Sequence, residues 1–305
     1  MEKTLIFGHK NPDTDSIVSS LVMANLEEKL GNKAEACRLG KINKETEYVL
    51  SYAGVEAPKL IEDVEDGREV ILVDTSNPNE LISNLQNVKI KKIIDHHQVL
   101  INTAYPLYYR AEPVGCTETI MYKLYKENNI EINKTIATLM VSAIISDTLL
   151  FKSPTCTEDD LKAAKELEKI AGIDLEKYGM DMLKAGTDLS EFSINEILNL
   201  DAKQVLLKDV KTIINQVNTA SIPEVMKMKS DLELGINKII DEKELDLFIL
   251  LITDIINSNS QVIALGKNAD LIEKSYGVKL EDNTAFLKGI VSRKKQVIPI
   301  LTEKA

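Results

Sequence analysis

A short apolar run, Leu5-Ile6-Phe7, stops at the polar stretch Gly8-His9-Lys10-Asn11-Pro12-Asp13-Thr14-Asp15-Ser16, and apolar residues then return at helical spacing as far as Leu30. This order predicts a strand, a tight loop and a helix over Ser16 to Leu30, which Gly31 can end. Ala34 to Arg38 reads as a second strand and Lys44 to Ala53 as a helix. The runs Val70 to Val73 and Ile90 to Ile94 read as strands that end in the polar clusters Asp74-Thr75-Ser76-Asn77 and Asp95-His96-His97. Apolar runs that do not alternate, separated by helical segments, are what a parallel sheet covered on both faces requires. The N-terminal part is therefore expected to be a doubly wound α/β domain. Further helices are expected over Thr117 to Asn128, Lys134 to Ser146, Glu158 to Ala171 and Leu175 to Ala185. The helix from Lys134 is almost wholly apolar and runs directly into Asp147.

The pattern changes after Gly186-Thr187-Asp188-Leu189-Ser190. Val205 to Leu207 and Thr212 to Val217 flank Lys208-Asp209 as in a hairpin. A long helix over Pro223 to Asp241 and strands over Leu245 to Thr253 and Gln261 to Leu265 follow. The expected boundary lies near residue 188, giving a first domain over 1–187, a linker over 188–193 and a smaller, mixed-sheet α/β domain over 194–305. No internal repeat or low-complexity segment interrupts either part.

Composition narrows the class. The 305 residues suffice for two cores, and 44% hydrophobic with 28% charged residues is ordinary for a globular chain. A formal charge of -11 argues against a general nucleic-acid or anionic-membrane surface. No signal-like stretch opens the chain and no apolar run is long enough to span a bilayer, so a cytoplasmic location is expected. Cys37, Cys116 and Cys156 lack CxxC spacing and read as reduced packing residues.

The candidate chemistry sits where the strands end. The chain has three histidines, His9, His96 and His97, and each lies in an Asp/His cluster at the carboxyl end of a strand. Open α/β sheets bind their ligands at that edge. One reading of Asp13 or Asp15 is simply a helix cap. The other is that His9, Asp13, Asp15, Asp74, Asp95, His96, His97 and Asp147 converge, and so many carboxylates and imidazoles would repel or desolvate one another unless cations neutralised them. Mixed nitrogen and oxygen donors suit Mn²⁺, Fe²⁺, Co²⁺ or Zn²⁺. The number of oxygen donors favours two ions, a pair able to bridge a water and aim it at phosphorus. A basic cluster, Arg293-Lys294-Lys295, is either a solvated tail or, on a strand, a row that turns one or two cations toward an anion.

Taken together these motifs resemble the family II, manganese-dependent inorganic pyrophosphatases of the DHH phosphoesterase superfamily. The resemblance rests on GHKNPDTDS at 8–16, CRLG at 37–40, DHH at 95–97, YYRAEPVGCT at 108–117, SAIISDTLLFKSPTCT at 142–157, DMLKAGTDLS at 181–190, DAK at 201–203, QVNT at 216–219 and SRKKQV at 292–297. It implies a DHH domain joined to a DHHA2-like domain by a flexible linker, and hydrolysis of pyrophosphate to two phosphates by a metal-bridged water in the cleft between them. It further implies His9, Asp13 and Asp74 on one metal, Asp15, Asp74, His96 and Asp147 on the other, and Asp74 bridging. His97, Lys203, Arg293 and Lys294 match the family's substrate-binding positions, with Asp95 behind them. Mn²⁺ or Co²⁺, two per subunit, Mg²⁺ arriving with the substrate, and a homodimer through the first domain are implied too. The chain departs from the family where Thr75-Ser76-Asn77-Pro78-Asn79-Glu80 follows Asp74, in place of the usual His-Asn-Glu or His-Ser-Glu. The short stretch from Glu62 to Gly67 leaves no room for the regulatory nucleotide-binding insert of some members.

Two alternatives compete. A DHH phosphoesterase acting on polyphosphate or short nucleotides would use the same metals, but nucleic-acid-binding members carry a glycine-rich motif in the second domain, and Gly235, Gly266, Gly277 and Gly289 are isolated. A non-catalytic metal or phosphate sensor would be expected to lack a ligand or the basic cluster.

Overall fold

The computed structural model describes residues 2–187, 189 and 192–305. The chain divides into two compact units, Met1–Ala185 and Gly186–Ala305. Of the expected linker 188–193, residues 188, 190 and 191 lie outside the described residues.

The first unit runs β1 (Thr4–Phe7), α1 (Thr14–Lys29), β2 (Ala34–Arg38), α2 (Lys44–Ala53), β3 (Lys59–Leu60), β4 (Glu69–Val73), β5 (Lys89–Asp95), β6 (Tyr108–Ala111), α3 (Thr117–Glu127), α4 (Lys134–Thr148), α5 (Glu158–Ala171) and α6 (Leu175–Ala185). Its strands form a six-stranded sheet in the order β3-β2-β1-β4-β5-β6, and every pairing is parallel. The apolar runs explain this: Ile6, Phe7, Val70 to Val73, Ile93 and Ile94 are all buried, so each strand needs cover on both faces. Strand order reverses between β1 and β4, and at such a switch point the connections leave a crevice outside the carboxyl ends of the strands. The loops after β1, β4 and β5 all open there. Strands β3 and β6 were not expected from the apolar pattern; β3 is only two residues long and β6 is half polar.

The second unit contains α7 (Ile194–Ile197), β7 (Ala202–Leu207), β8 (Val210–Thr219), α8 (Ile222–Met226), α9 (Lys229–Lys243), β9 (Leu247–Asp254), β10 (Asn259–Leu265), α10 (Leu271–Tyr276), β11 (Thr284–Leu287), a π-helical turn Arg293–Val297 and α11 (Ile298–Lys304). Its sheet, in the order β11-β10-β9-β8-β7, is mixed, since β8 and β9 are parallel and the other pairs antiparallel. Strand β9 feeds two cores in alternation. Phe248, Leu250 and Ile252 pack with Leu232, Ile236 and Ile239, while Leu247, Ile249 and Leu251 pack with Leu271, Ile272 and Leu301.

Two expectations for this unit are corrected. The long helix over Pro223 to Asp241 is broken in two, because the amides of Lys227 and Met228 bond three residues back, to Glu224 and Val225, and close α8 as a tightened turn. The segment carrying Arg293, Lys294 and Lys295 is a π-helical turn rather than a strand. Ser292 caps it by accepting from the Lys295 amide at 3.3 Å, and the Gln296 side chain accepts from the amides of Val291 and Ser292 at 2.9 and 3.0 Å. These local bonds take the place of a sheet ladder.

Candidate metal centre

The loop after β1 is held by contact with helix α1. Gly8 lies so close to it that a Cβ would stand 2.1 Å from the Ser16 hydroxyl and 2.9 Å from the Val73 carbonyl, which leaves glycine as the residue that fits. Ser16 accepts from the His9 amide at 3.2 Å. Asp13 is the N-cap of α1, accepting from the Ser16 amide at 2.9 Å through one oxygen, while its other oxygen lies 3.6 Å from His9 Nε2. Capping and facing the site are therefore both true of Asp13. Asp15, in the first turn of the helix, is fully buried.

Asp74 follows β4 with φ at 59°, a left-handed conformation that costs a non-glycine residue about 1 kcal/mol or more. Its amide bonds to the Ile94 carbonyl at 2.9 Å, which fixes the turn against β5. One carboxylate oxygen lies 3.3 Å from His9 Nε2 and the other 3.5 Å from His96 Nε2. His96 comes from the end of β5, and its Nδ1 meets the Val114 carbonyl at 3.2 Å. That contact makes Nδ1 a donor to the carbonyl and turns Nε2 inward. Asp147, in the last turn of α4, stands 3.7 Å from the same Nε2, and Asp15 stands 4.0 Å from it.

The six expected ligands thus come together. His9, Asp13 and Asp74 bring donor atoms within 4.8 Å of one another, and so do Asp15, His96 and Asp147. A third set, Asp74, His96 and His97, satisfies the same distance. His97 Nδ1, however, is engaged by Asp95 at 3.1 Å, and Asp95 also accepts from the His97 amide at 2.9 Å. Asp95 therefore stands behind His97.

Electrostatics fit a cation. Burial drives the Asp15 carboxyl up to about 7, and the neighbouring charge of Asp74 adds to the shift. Burial, with Asp15, Asp13 and Asp74, pushes Asp147 well above the usual carboxylate range. Burial alone would also raise Asp74, but the imidazoles of His9, His96 and His97 around it hold it well below that range. Asp74 Oδ2 is buried without a hydrogen-bond partner among the described residues. Without a cation, protons on the imidazoles and carboxyls must supply the missing positive charge. Nitrogen and carboxylate donors of this kind suit Mn²⁺ or its neighbours.

Several residues that shape the site were not singled out beforehand. Glu45 of α2 accepts from Thr14 at 2.7 Å and also from Ser146, tying the start of α1 to the end of α4. Thr117 donates its amide to Asp15 at 2.8 Å. Asp160 accepts from the amides of Gly115 and Thr157 at 2.9 and 2.7 Å and from the hydroxyls of Thr119 and Thr157 at 2.5 and 2.7 Å, holding the loop that presents Thr117. A Cβ on Gly115 would meet Asp160 at 2.7 Å, so this loop too requires glycine. Thr157-x-x-Asp160 is a capping-box spacing, a signal the sequence did carry.

In the second unit, Arg293 donates to the Asp201 carboxylate at 2.8 Å, to the Asp201 carbonyl, and to the Ile214 carbonyl at 3.3 Å. Lys203 on β7 lies opposite Ile214 in the ladder with β8, and Lys294 is exposed. Gln216 accepts from the Arg293 amide at 3.3 Å and donates to the Val291 carbonyl at 2.9 Å.

Comparison with known proteins places this architecture. Residues 3–144 match the DHH family, N-terminal domain, and residues 180–304 match the DHHA2 domain. The manganese-dependent inorganic pyrophosphatase of Bacillus subtilis strain 168 is 54% identical over 305 residues, covering 99% of both chains. A Bacillus velezensis protein assigned the same activity is equally similar, at 54% over 305 residues. The solved structure of a Methanococcus jannaschii protein assigned to the family II inorganic pyrophosphatases superposes with a TM-score of 0.86 at 41% identity, covering 98% of each chain. The buried Asp/His cluster at the switch point and the likeness over nearly the whole length have one reading: the chain belongs to the family II, manganese-dependent inorganic pyrophosphatases.

Proposed function

We propose that the chain hydrolyses inorganic pyrophosphate to two phosphates. The observation that carries this reading is the position of Asp74, whose two oxygens face separate donor sets, one with His9 and Asp13 and the other near His96, Asp15 and Asp147. One carboxylate shared in this way is what a pair of divalent cations requires. In this reading His9, Asp13 and Asp74 hold one Mn²⁺ or Co²⁺, and Asp15, Asp74, His96 and Asp147 hold the other. When bound, the cations lower the pKa of a water and neutralise phosphoryl charge. His97, steadied by Asp95, and Lys203, Arg293 and Lys294 bind the substrate's oxygens, with Mg²⁺ accompanying it. Arg holds such oxygens through its fork and Lys as a point charge.

Residues 1–187 would then act as the metal-binding domain and 194–305 as the substrate-binding domain, joined by a flexible linker at 188–193. The polyanion, by contacting both, would favour a closed arrangement with the segment around 186–190 as hinge. We further infer, from family likeness and composition, a homodimer formed through the first domain and a cytoplasmic location. No helix among the described residues is long and apolar enough to cross a membrane.

Phosphate release from pyrophosphate with Mn²⁺, measured beside polyphosphate and a dinucleotide, tests the substrate. Preference for either of the latter replaces pyrophosphate hydrolysis with the broader phosphoesterase reading. Competition titration should favour Mn²⁺ or Co²⁺ over Mg²⁺, which accepts nitrogen donors reluctantly. Small-angle scattering with a non-hydrolysable analogue should show compaction. A free protein already as compact as the bound one removes the closure.

A further inference from the structure

Behind Asp15, on the side away from His96, stands a second buried acid that the hydrolysis does not use. Glu118, in the first turn of α3, is 0% exposed, as are Ser19 and Asp15 on α1. The Ser19 oxygen lies 2.8 Å from Glu118 Oε1 and 3.0 Å from Asp15 Oδ1. A hydroxyl has one proton, so it cannot donate to two carboxylates at once. If both acids were ionised, one of these short contacts would set two lone pairs against each other in a buried site.

One of the two must therefore carry a proton, and the surroundings decide which. Asp15 faces the metal donor set and takes the Thr117 amide on its other oxygen. Glu118 Oε2 has no hydrogen-bond partner among the described residues. An ionised carboxylate there would leave a charged oxygen buried and unmatched, at a cost of several kcal/mol. The titratable groups that act on Glu118 are Asp15 and Asp74, both acids, and burial pushes its carboxyl well above the usual range.

We propose that Glu118 is a positioning residue that stays a neutral carboxylic acid and donates through Ser19 to Asp15. The chain of donors runs from the Glu118 hydroxyl to the Ser19 oxygen and from the Ser19 hydroxyl to Asp15 Oδ1. It fixes the Asp15 carboxylate plane and leaves Asp15, not Glu118, as the anion that meets the cation. This rests on the reading of Asp15 as a metal ligand. It also explains how a glutamate can lie beside the site without adding another negative charge to it.

Infrared difference spectra between wild type and Glu118→Gln, recorded at pH 8 with and without Mn²⁺, read the proton directly. The wild type should show the C=O stretch of a buried carboxylic acid, shifted in D₂O and missing from the variant. Its absence overturns the proposal. Mn²⁺ titration reads the positioning. Glu118→Gln, which keeps a donor toward Ser19, should bind within about twofold of wild type. Glu118→Ala and Ser19→Ala should each weaken binding about tenfold, the lower end for lost groups that orient a metal ligand. Weakened binding in Glu118→Gln would mean that the glutamate was ionised, and unchanged binding in both alanine variants would mean that it positions nothing. A wild type that shows the infrared band yet binds no Mn²⁺ would remove the metal reading, and the positioning role with it, while leaving the protonated glutamate established.

Discussion

The acidic cluster of the first unit and the basic cluster of the second are satisfied in opposite ways. Around Asp74, three imidazoles and three further carboxylates face one another at 3.3 to 4.0 Å, and Asp74 Oδ2 is buried without a hydrogen-bond partner among the described residues. Their ordinary protonation states cannot coexist without added positive charge. Around Arg293, the guanidinium is already bonded to two carbonyls and a carboxylate. The first cluster is incomplete without a ligand, whereas the second is complete and must exchange or share contacts to take one. Metal binding should therefore be built into the folded state of the first unit, and anion binding should be a later, weaker and more adjustable event.

The largest effect should come from Asp74→Asn. The change removes the charge shared by both donor sets, and we expect activity to fall on the order of a thousandfold, since metal-borne charge stabilisation is worth several kcal/mol. Mn²⁺ affinity should fall with it. Near-normal turnover in the metal-saturated variant would break the comparison at its strongest point. Arg293→Ala should cost roughly a hundredfold in activity, as for a lost charge-stabilising donor, and leave Mn²⁺ affinity unchanged. An Arg293→Ala protein that loses its manganese would show that the clusters are not separate.

Mn²⁺ itself sharpens the contrast. At a hundredfold excess over its dissociation constant, a ligand bound only by the native state stabilises it by about 2.7 kcal/mol. Hydrogen exchange should show this protection at the starts of α1 and α3 and the end of α4, and little in β7 to β11. Equal protection in both units would mean that the second is not complete on its own.

How much was legible in the sequence follows the same division. His9, Asp13, Asp15, Asp74 and His96 could be placed because each ends or follows a strand whose apolar run marks its own boundary, and strand ends converge in a parallel sheet. Asp147 followed from a helix too apolar to carry a stray charge. What escaped was set by distant partners. Asp160 acts on Gly115, 45 residues away, and Glu118 acts through Ser19, 99 residues away. Neither leaves a periodic trace. The turn at Arg293 is not legible in the sequence because Ser292 and Gln296 supply bonds that a count of alternating side chains does not see.

The smallest expected effect, at Asp201, tests whether the basic cluster is held or merely present. Two influences oppose each other in Asp201→Ala. Removing a carboxylate beside Arg293 makes the neighbourhood more positive and should favour an incoming anion. Removing it also frees a guanidinium whose Nη2 it holds at 2.8 Å. The Asp201 side chain is 48% exposed, so its charge is screened by water. Orientation should therefore win, because a hydrogen bond to a charged group contributes about 1.5–3 kcal/mol and fixes the plane of the fork. We expect kcat to fall roughly tenfold, near the lower end of that range, with KM nearly constant, and Asp201→Asn to fall between the variant and wild type because it keeps one acceptor oxygen. A lower KM with unchanged kcat would mean that the charge matters and the geometry does not, and Arg293 would then be a point charge no different in kind from Lys294.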